Sequence, residues 1–276
     1  MPDLLAAIIL GAVQGITEFL PISSTAHLVL VPWLLGWENP LLHSLTFDVA
    51  LHMGTLSATM IYFWREWLNL ARGGVMSIAT RSLRGDPWRK LAWLVVIATI
   101  PAALAGLLFE SAVESAFRAP WIVASALIAF SLLLAWAEAA GTKRTTLQHM
   151  SWLEAVLMGL GQAIAVIPGV SRSGGSMTAG MLAGMTREAA ARFSFIMAAP
   201  IMAGAGLKKL KDMTELGLDG EAATLMGAGF ITSALVGFLV IHLLLRYLQR
   251  NTLYVFVGYR ILLGIAVLTI VFLRGA

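Results

Sequence analysis

Between Gly159 and Met177 the chain sets a cation, Arg172, among three hydroxyls, Ser171, Ser173 and Ser176, and the pair Gly174 and Gly175. The flanking residues are apolar enough for a bilayer, where a charge at mid-depth costs roughly 2.5–3.5 kcal/mol on insertion scales. A guanidinium kept there points to a function. Its planar fork matches phosphate oxygens, and glycine allows close backbone approach. The stretch from Gly11 to Val29 echoes it: at an offset of 148 (Gln162 less Gln14), Gly11 meets Gly159, Ile16 meets Ile164, Ser23 meets Ser171 and Thr25 meets Ser173. This first stretch carries the complementary groups Gln14, Glu18, Ser24 and His27. Ser24 and His27, three residues apart, share one face of a helix, so His27 could take the serine proton as a general base. Glu18 could hold a divalent cation that bridges phosphate oxygens, or position water. Ser23, Thr25, Ser171, Ser173, Ser176, Gly174, Gln14 and Gln162 complete a candidate anion-binding set. Phosphoryl chemistry is largely charge stabilisation and positioning, and these residues supply both.

The rest of the chain explains where such a site sits. Of 276 residues, 59% are hydrophobic and 12% charged, and the mean hydropathy is +0.83. Soluble domains carry about 25% charged residues, so an integral membrane protein is expected. The start, Met1-Pro2-Asp3, lacks a basic region, and no cleavable signal peptide is expected. With no cysteine, disulfides, thiolate metal sites and thiol nucleophiles are excluded. The net charge of +4 fits basic loops on one membrane side, and no nucleic-acid partner is expected.

Residues 3–37 read as a re-entrant hairpin, entering over Leu4 to Phe19, turning at Pro21 to Ser24 and returning from Ala26 to Trp37. Three spans follow, at Leu45 to Trp64, Leu91 to Phe109 and Trp121 to Trp136, the first two joined by a basic loop over 65–90. Glu110, Glu114 and Arg118 stand between the second and third. A second hairpin covers 152–186, with its return arm expected from Ser176. Spans over Ala189 to Leu207, Ala222 to Leu245 and Leu253 to Leu273 complete the chain. Between the first two of these, Lys208, Lys209 and Lys211 are outweighed by Asp212, Glu215, Asp219 and Glu221. Each half, 1–140 and 150–276, thus holds one hairpin and three spans. An odd number of crossings inverts the second half, as in many transporters, with the site where broken helices meet near the midplane. The loops at 65–90, 143–144 and 246–250 carry the basic excess, which places them in the cytoplasm and the first hairpin outside. In both hairpins the return arm begins just after the polar turn, so two helix N-termini face each other as an anion trap.

Plainer readings exist for each group. Hydroxyls in membrane helices often bond back to a carbonyl, Arg172 could simply neutralise Glu18, and His52 and His242 read as helix-packing groups. His43 and His149 read as loop residues, and Asp48 and His52 as a structural pair. The glycine-rich turn matches no nucleotide loop, having no Gly-Lys-Ser/Thr pattern and no preceding strand.

With Gln14-x-x-x-Glu18, the run Pro21-Ile22-Ser23-Ser24-Thr25-Ala26-His27 and the run Pro168-Gly169-Val170-Ser171-Arg172-Ser173-Gly174, the sequence resembles the undecaprenyl-diphosphate phosphatase family, also called bacitracin-resistance proteins. The resemblance covers essentially the whole chain. It implies a bacterial inner-membrane enzyme that removes the terminal phosphate from undecaprenyl diphosphate, giving the monophosphate carrier used in cell-wall synthesis, with a divalent cation such as Mg2+ or Ca2+. It implies a site open to the periplasm, with the acidic motif on Gln14 and Glu18, the serine and histidine on Ser24 and His27, and the diphosphate-binding arginine on Arg172. Gln14 leaves Glu18 as the sole carboxylate of that motif here, which weakens a two-carboxylate metal site.

A carrier or flippase for an anionic polyprenyl lipid is the competing reading. It would need the anion trap but neither nucleophile nor base, so Ser24 with His27 favours an enzyme. An acid-phosphatase-like lipid phosphatase would need a histidine soon after Arg172, and the next is His242. Scattered small-xxx-small spacing leaves a homodimer open.

Overall fold

The structure, a computed structural model, describes residues 3–116, 119–216 and 220–274. The side chains of 110–118 and 208–219 lie outside the described residues, and with them the charges read at Glu110, Glu114, Arg118, Lys208, Lys209, Lys211, Asp212, Glu215 and Asp219. Among the described residues there are eleven α-helices: α1 (Asp3–Phe19), α2 (Ser24–Leu35), α3 (Leu45–Tyr62), α4 (Trp64–Thr80), α5 (Pro87–Ala116), α6 (Pro120–Ala140), α7 (Trp152–Ile164), α8 (Arg172–Leu182), α9 (Arg187–Leu216), α10 (Gly220–Leu248) and α11 (Tyr254–Arg274). Short 3-10 turns at Pro40–His43 and Leu147–His149 hold the two loop histidines.

Five helices are long and apolar enough to cross a membrane: α5 over Pro87–Phe109, α6, α9 over Arg187–Leu207, α10 and α11. They match five of the six expected spans. The sixth, Leu45 to Trp64, is the 18-residue α3, which is not in that set and carries Asp48 and His52. Its burial is instead internal, with Phe47, Leu51, Thr55 and Thr59 all enclosed. Most of the expected 65–90 loop is helix as well. On α4, Leu70, Gly73 and Ser77 form the buried stripe, while Trp64, Leu68, Val75 and Ile78 stay exposed.

The molecule has its apolar surface outside and polar groups within, as a polytopic membrane protein requires. Leu107, Leu262 and Phe272 are 77%, 71% and 86% exposed, whereas Ser131, Ser233 and Arg260 are at most 1% exposed. Because hydrocarbon does not drive helices together, small residues and interhelical hydrogen bonds must. α1 and α3 pack on α10 in this way, and Ser233 donates to the Leu51 carbonyl at 2.6 Å.

Two helix–turn–helix units position the site. Asn39 donates to Asp3 at 2.6 Å, so the start of α1 and the stretch after α2 meet at one end of the molecule. α7 starts on a capping box between Ser151 and Glu154, and the loop after α8 bonds back through Gly184 O to Arg144 and Thr145 N–H. Beside that capping box and loop Lys90 reaches Met150 O, Arg192 meets Glu66, and Arg187, Lys143 and the Leu253 N–H converge on the buried Glu138 carboxylate. The basic stretches at 65–90 and 143–144 therefore share one end.

Candidate active site

Both turns use the same local device. Ser23 and Ser171, the pair matched by the sequence offset, are the N-caps of α2 and α8 at φ 73° and 76°. Such backbone is sparsely populated for any residue but glycine. The Ser23 hydroxyl accepts from Ala26 N–H at 3.4 Å, and the Ser171 hydroxyl accepts from Gly174 N–H at 3.0 Å. These caps start the helices at Ser24 and Arg172, earlier than the Ala26 and Ser176 expected from sequence. Capping by the preceding serine extends each helix into the polar turn. Among the described residues no hydrogen bond takes up the N–H groups of Ser24, Thr25, Arg172 or Ser173, so two helix starts offer free donors.

The turns are brought together by two arginines. Arg260, 1% exposed on α11, donates to Pro21 O at 2.8 Å in the first turn and to Gly169 O at 2.9 Å and Val170 O at 3.2 Å in the second. It also reaches Leu127 O at 3.3 Å on α6. All these partners are carbonyls, so a buried guanidinium stitches both turns and leaves its charge beside them. Sequence reading missed it, although the signal was there: a lone arginine seven residues into an apolar span. Close backbone contact secures the second turn, where a Cβ on Gly175 would lie 2.4 Å from Gly161 O.

Arg172, by contrast, pairs with a carboxylate. Its Nη2 donates to Glu18 Oε1 at 2.8 Å, the neutralising contact weighed for it from sequence. The other oxygen, Oε2, accepts from Ser24 Oγ at 2.6 Å and from Gln14 Nε2 at 3.0 Å. His52 Nε2 stands 3.5 Å from that same oxygen, so His52 belongs to the site and not to helix packing alone. Glu18 is thus the hub on which Gln14, Ser24, His52 and Arg172 converge from four helices.

Other expected residues stand differently. The Ser24 hydroxyl is bonded to Glu18, and His27 has both ring nitrogens engaged elsewhere, Nδ1 at 2.7 Å from Ser23 O and Nε2 at 2.7 Å from Tyr259 OH. The hydrogen bond expected from Ser24 to His27 is therefore not formed. A carbonyl only accepts, so Nδ1 carries the proton and the neutral ring accepts from Tyr259 through Nε2. Nothing in the sequence signalled Tyr259. Ser173 Oγ lies 3.2 Å from Glu18 O, 3.1 Å from Leu20 O and 3.1 Å from Ser171 Oγ, bridging the two turns. Ser176 is fully buried, bonded to Arg172 O at 2.8 Å and to Ser194 at 2.6 Å. Gln162 is 2% exposed, with no hydrogen-bond partner for either amide atom among the described residues. Gly174 is buried behind its cap bond, while Thr25 is the more exposed residue of the first turn.

A cleft opens beside the ion pair. Glu18, Arg172, Ser173, Ser194 and Thr59 line its polar side, and Phe19, Phe195, Ala198 and Met202 form an apolar wall. An anion with an apolar tail suits this lining. Both Glu18 oxygens are engaged in this structure, and among the described residues no three His, Cys, Asp or Glu side chains converge; Gln14 Oε1 is buried with no hydrogen-bond partner among the described residues.

The chain is similar to known proteins along nearly its whole length. The family model described as bacitracin resistance protein BacA matches residues 7–266. An undecaprenyl-diphosphatase of Moorella thermoacetica is 49% identical over 270 residues, covering 98% of this chain and 98% of that protein. Another, of Pelotomaculum thermopropionicum, is 46% identical over 264 residues, covering 96% and 95%. A third, of Geobacter sulfurreducens, is 47% identical over 274 residues, covering 99% and 100%.

Proposed function

The chain belongs to the bacitracin resistance protein BacA family, and on that premise we propose that it is a membrane phosphatase hydrolysing undecaprenyl diphosphate to undecaprenyl phosphate and inorganic phosphate. The product is the lipid carrier of peptidoglycan synthesis, and its regeneration underlies resistance to bacitracin. One observation carries the mechanism: Ser24 Oγ donates to Glu18 Oε2 at 2.6 Å while Arg172 holds the opposite oxygen at 2.8 Å.

Arg172 gives Glu18 one bond, from Nη2, and in this reading the guanidinium swings from the carboxylate to the diphosphate. Its side chain is 25% exposed to the cleft, so it can turn to the arriving anion. The free N–H groups of the two helix starts and the Arg260 charge add to the hold. Loss of the arginine leaves Glu18 to take the Ser24 proton. Ser24 Oγ then bonds the terminal phosphorus in line, the bridging P–O bond breaks, and undecaprenyl phosphate leaves. Water next attacks the phosphoserine, inorganic phosphate departs, and the proton on Glu18 returns to Ser24 Oγ. In this reading His27 orients the first turn through Ser23 and Tyr259.

The same reading makes each helix–turn–helix unit a re-entrant hairpin and the halves 1–140 and 150–276 an inverted repeat. Its support is the paired serine caps, the 148-residue offset and the location of the polar turns inside the molecule. The enzyme then sits in the bacterial inner membrane with the 65–90 and 143–144 basic end in the cytoplasm, an orientation that allows the periplasmic opening implied by the family resemblance.

Phosphate release from a polyprenyl diphosphate by the purified protein tests this. Ser24→Ala is expected to lower kcat by about 10³-fold or more, and Arg172→Ala to raise KM as well as lower kcat. Wild-type protein that binds the lipid and releases no phosphate would sink the hydrolase reading and favour a lipid carrier.

A further inference from the structure

We infer that His52 is a positioning residue that holds the Glu18 carboxyl in place once it has taken the Ser24 proton; the inference rests on the phosphatase reading above. In the resting site Glu18 has a cation on Oε1 and two neutral donors, Ser24 and Gln14, on Oε2. As the substrate binds, the cation turns away, and proton transfer then removes the Ser24 donor and gives Glu18 an O–H of its own. The carboxyl would be left to Gln14 alone, one turn away on the same helix, when it must keep that proton aimed for return to Ser24.

His52 is the remaining group that faces it. Its ring is fixed from behind, since Nδ1 lies 2.7 Å from the Asp48 carbonyl, which can only accept. That bond leaves Nε2 as the acceptor of the neutral ring, facing Glu18 Oε2, 3.5 Å away, from α3 and not from either turn, where it can take the hydrogen bond of the protonated carboxyl. His52 approaches from a helix that neither binds the phosphate nor carries the nucleophile, so its hold on Glu18 survives the arginine's departure. Ser233 anchors this stretch of α3 by its bond to Leu51 O, next to His52, which makes the support rigid. Positioning of this kind acts on the chemical step and not on binding, because a misplaced group can cost up to about 10²-fold in rate with substrate affinity retained.

Two variants separate this from packing. His52→Leu keeps the bulk and removes the ring nitrogens; His52→Gln keeps a side-chain acceptor near Oε2. With wild type in the same phosphate-release assay and melting temperatures alongside, His52→Leu is expected to lose roughly 10–100-fold in kcat with KM near wild type. His52→Gln should recover most of that loss. An unchanged kcat in His52→Leu overturns the inference, as does a KM that rises with the loss or a His52→Gln no better than His52→Leu. A His52→Leu protein too unstable to assay also overturns it, since His52 would then be a packing residue. Failure of the phosphatase reading would show separately, as absent release by the wild type.

Discussion

The two polar turns share a backbone and differ in chemistry. Each ends an apolar helix, carries a serine N-cap at positive φ and opens a short helix whose first N–H groups are free. Yet where the first turn has Ser24 the second has Arg172, and where the incoming arm has Glu18 the second has Val166. On the proposed mechanism the first unit holds nucleophile and base, and the second holds the anion grip. Two matching turns would then divide the labour, and the geometry needs them to meet. Glu18 touches Arg172 across the junction, and Ser173 bridges to the carbonyls of Glu18 and Leu20.

If the turns act as one unit, the residue joining them should matter more than either cap. Arg260→Met strips the charged donor from carbonyls in both turns, and buried acceptors left unpaired cost about 1–3 kcal/mol each. The expected result is the largest stability loss of any variant here, on the order of 3 kcal/mol, with amide exchange rising in residues 21–24 and 169–175 together. Exchange that rises in the second turn alone would show that the turns are held independently.

A smaller effect tests whether the two backbones are alike. At an ordinary N-cap, serine to alanine costs about 1 kcal/mol and serine to glycine a few tenths. At positive φ the gap should widen, because alanine loses the cap and keeps the strain while glycine relieves it. Ser23→Gly and Ser171→Gly should therefore both melt well above the corresponding alanine variants, by more than about 1 kcal/mol in stability. A large gap at one turn and none at the other would break the equivalence.

Much of this was legible in the sequence for a physical reason. Charged and hydroxyl groups stand out against apolar flanks, so Glu18, Ser24 and Arg172 announced themselves, and the 148-residue offset paired the two caps. Long apolar stretches likewise gave five spans. What stayed hidden depends on three-dimensional approach. The direction of the Ser24 hydroxyl, toward Glu18 and away from His27, follows from the turn's exact path. His52 looked like packing because its partner lies 34 residues away on another helix. Tyr259 had no local signal, and the role of Arg260 is set by carbonyls of Pro21, Leu127, Gly169 and Val170, which every residue type carries. α3 is less apolar than the other expected spans because much of its enclosure comes from neighbouring helices.

The smallest effect is expected at the glutamines. Gln14 and Gln162 occupy matching places, but the Gln14 amide nitrogen donates to Glu18 at 3.0 Å, leaving only its Oε1 without a partner among the described residues, whereas both amide atoms of Gln162 lack one there. A buried unpaired amide is a cost, so Gln162→Leu should be neutral or stabilising by about 1 kcal/mol, with phosphate release unchanged. Gln14→Leu should instead cost about 1.5–3 kcal/mol, the range for a hydrogen bond to a charged group, and should lower kcat because Glu18 loses a holder. Melting temperatures and kinetics of the two variants, measured side by side, decide the point. A Gln162→Leu protein that keeps its stability and loses activity would place that amide against the substrate. The second unit would then share in the chemistry as well as the grip, and the division of labour would be narrower than the resting site suggests.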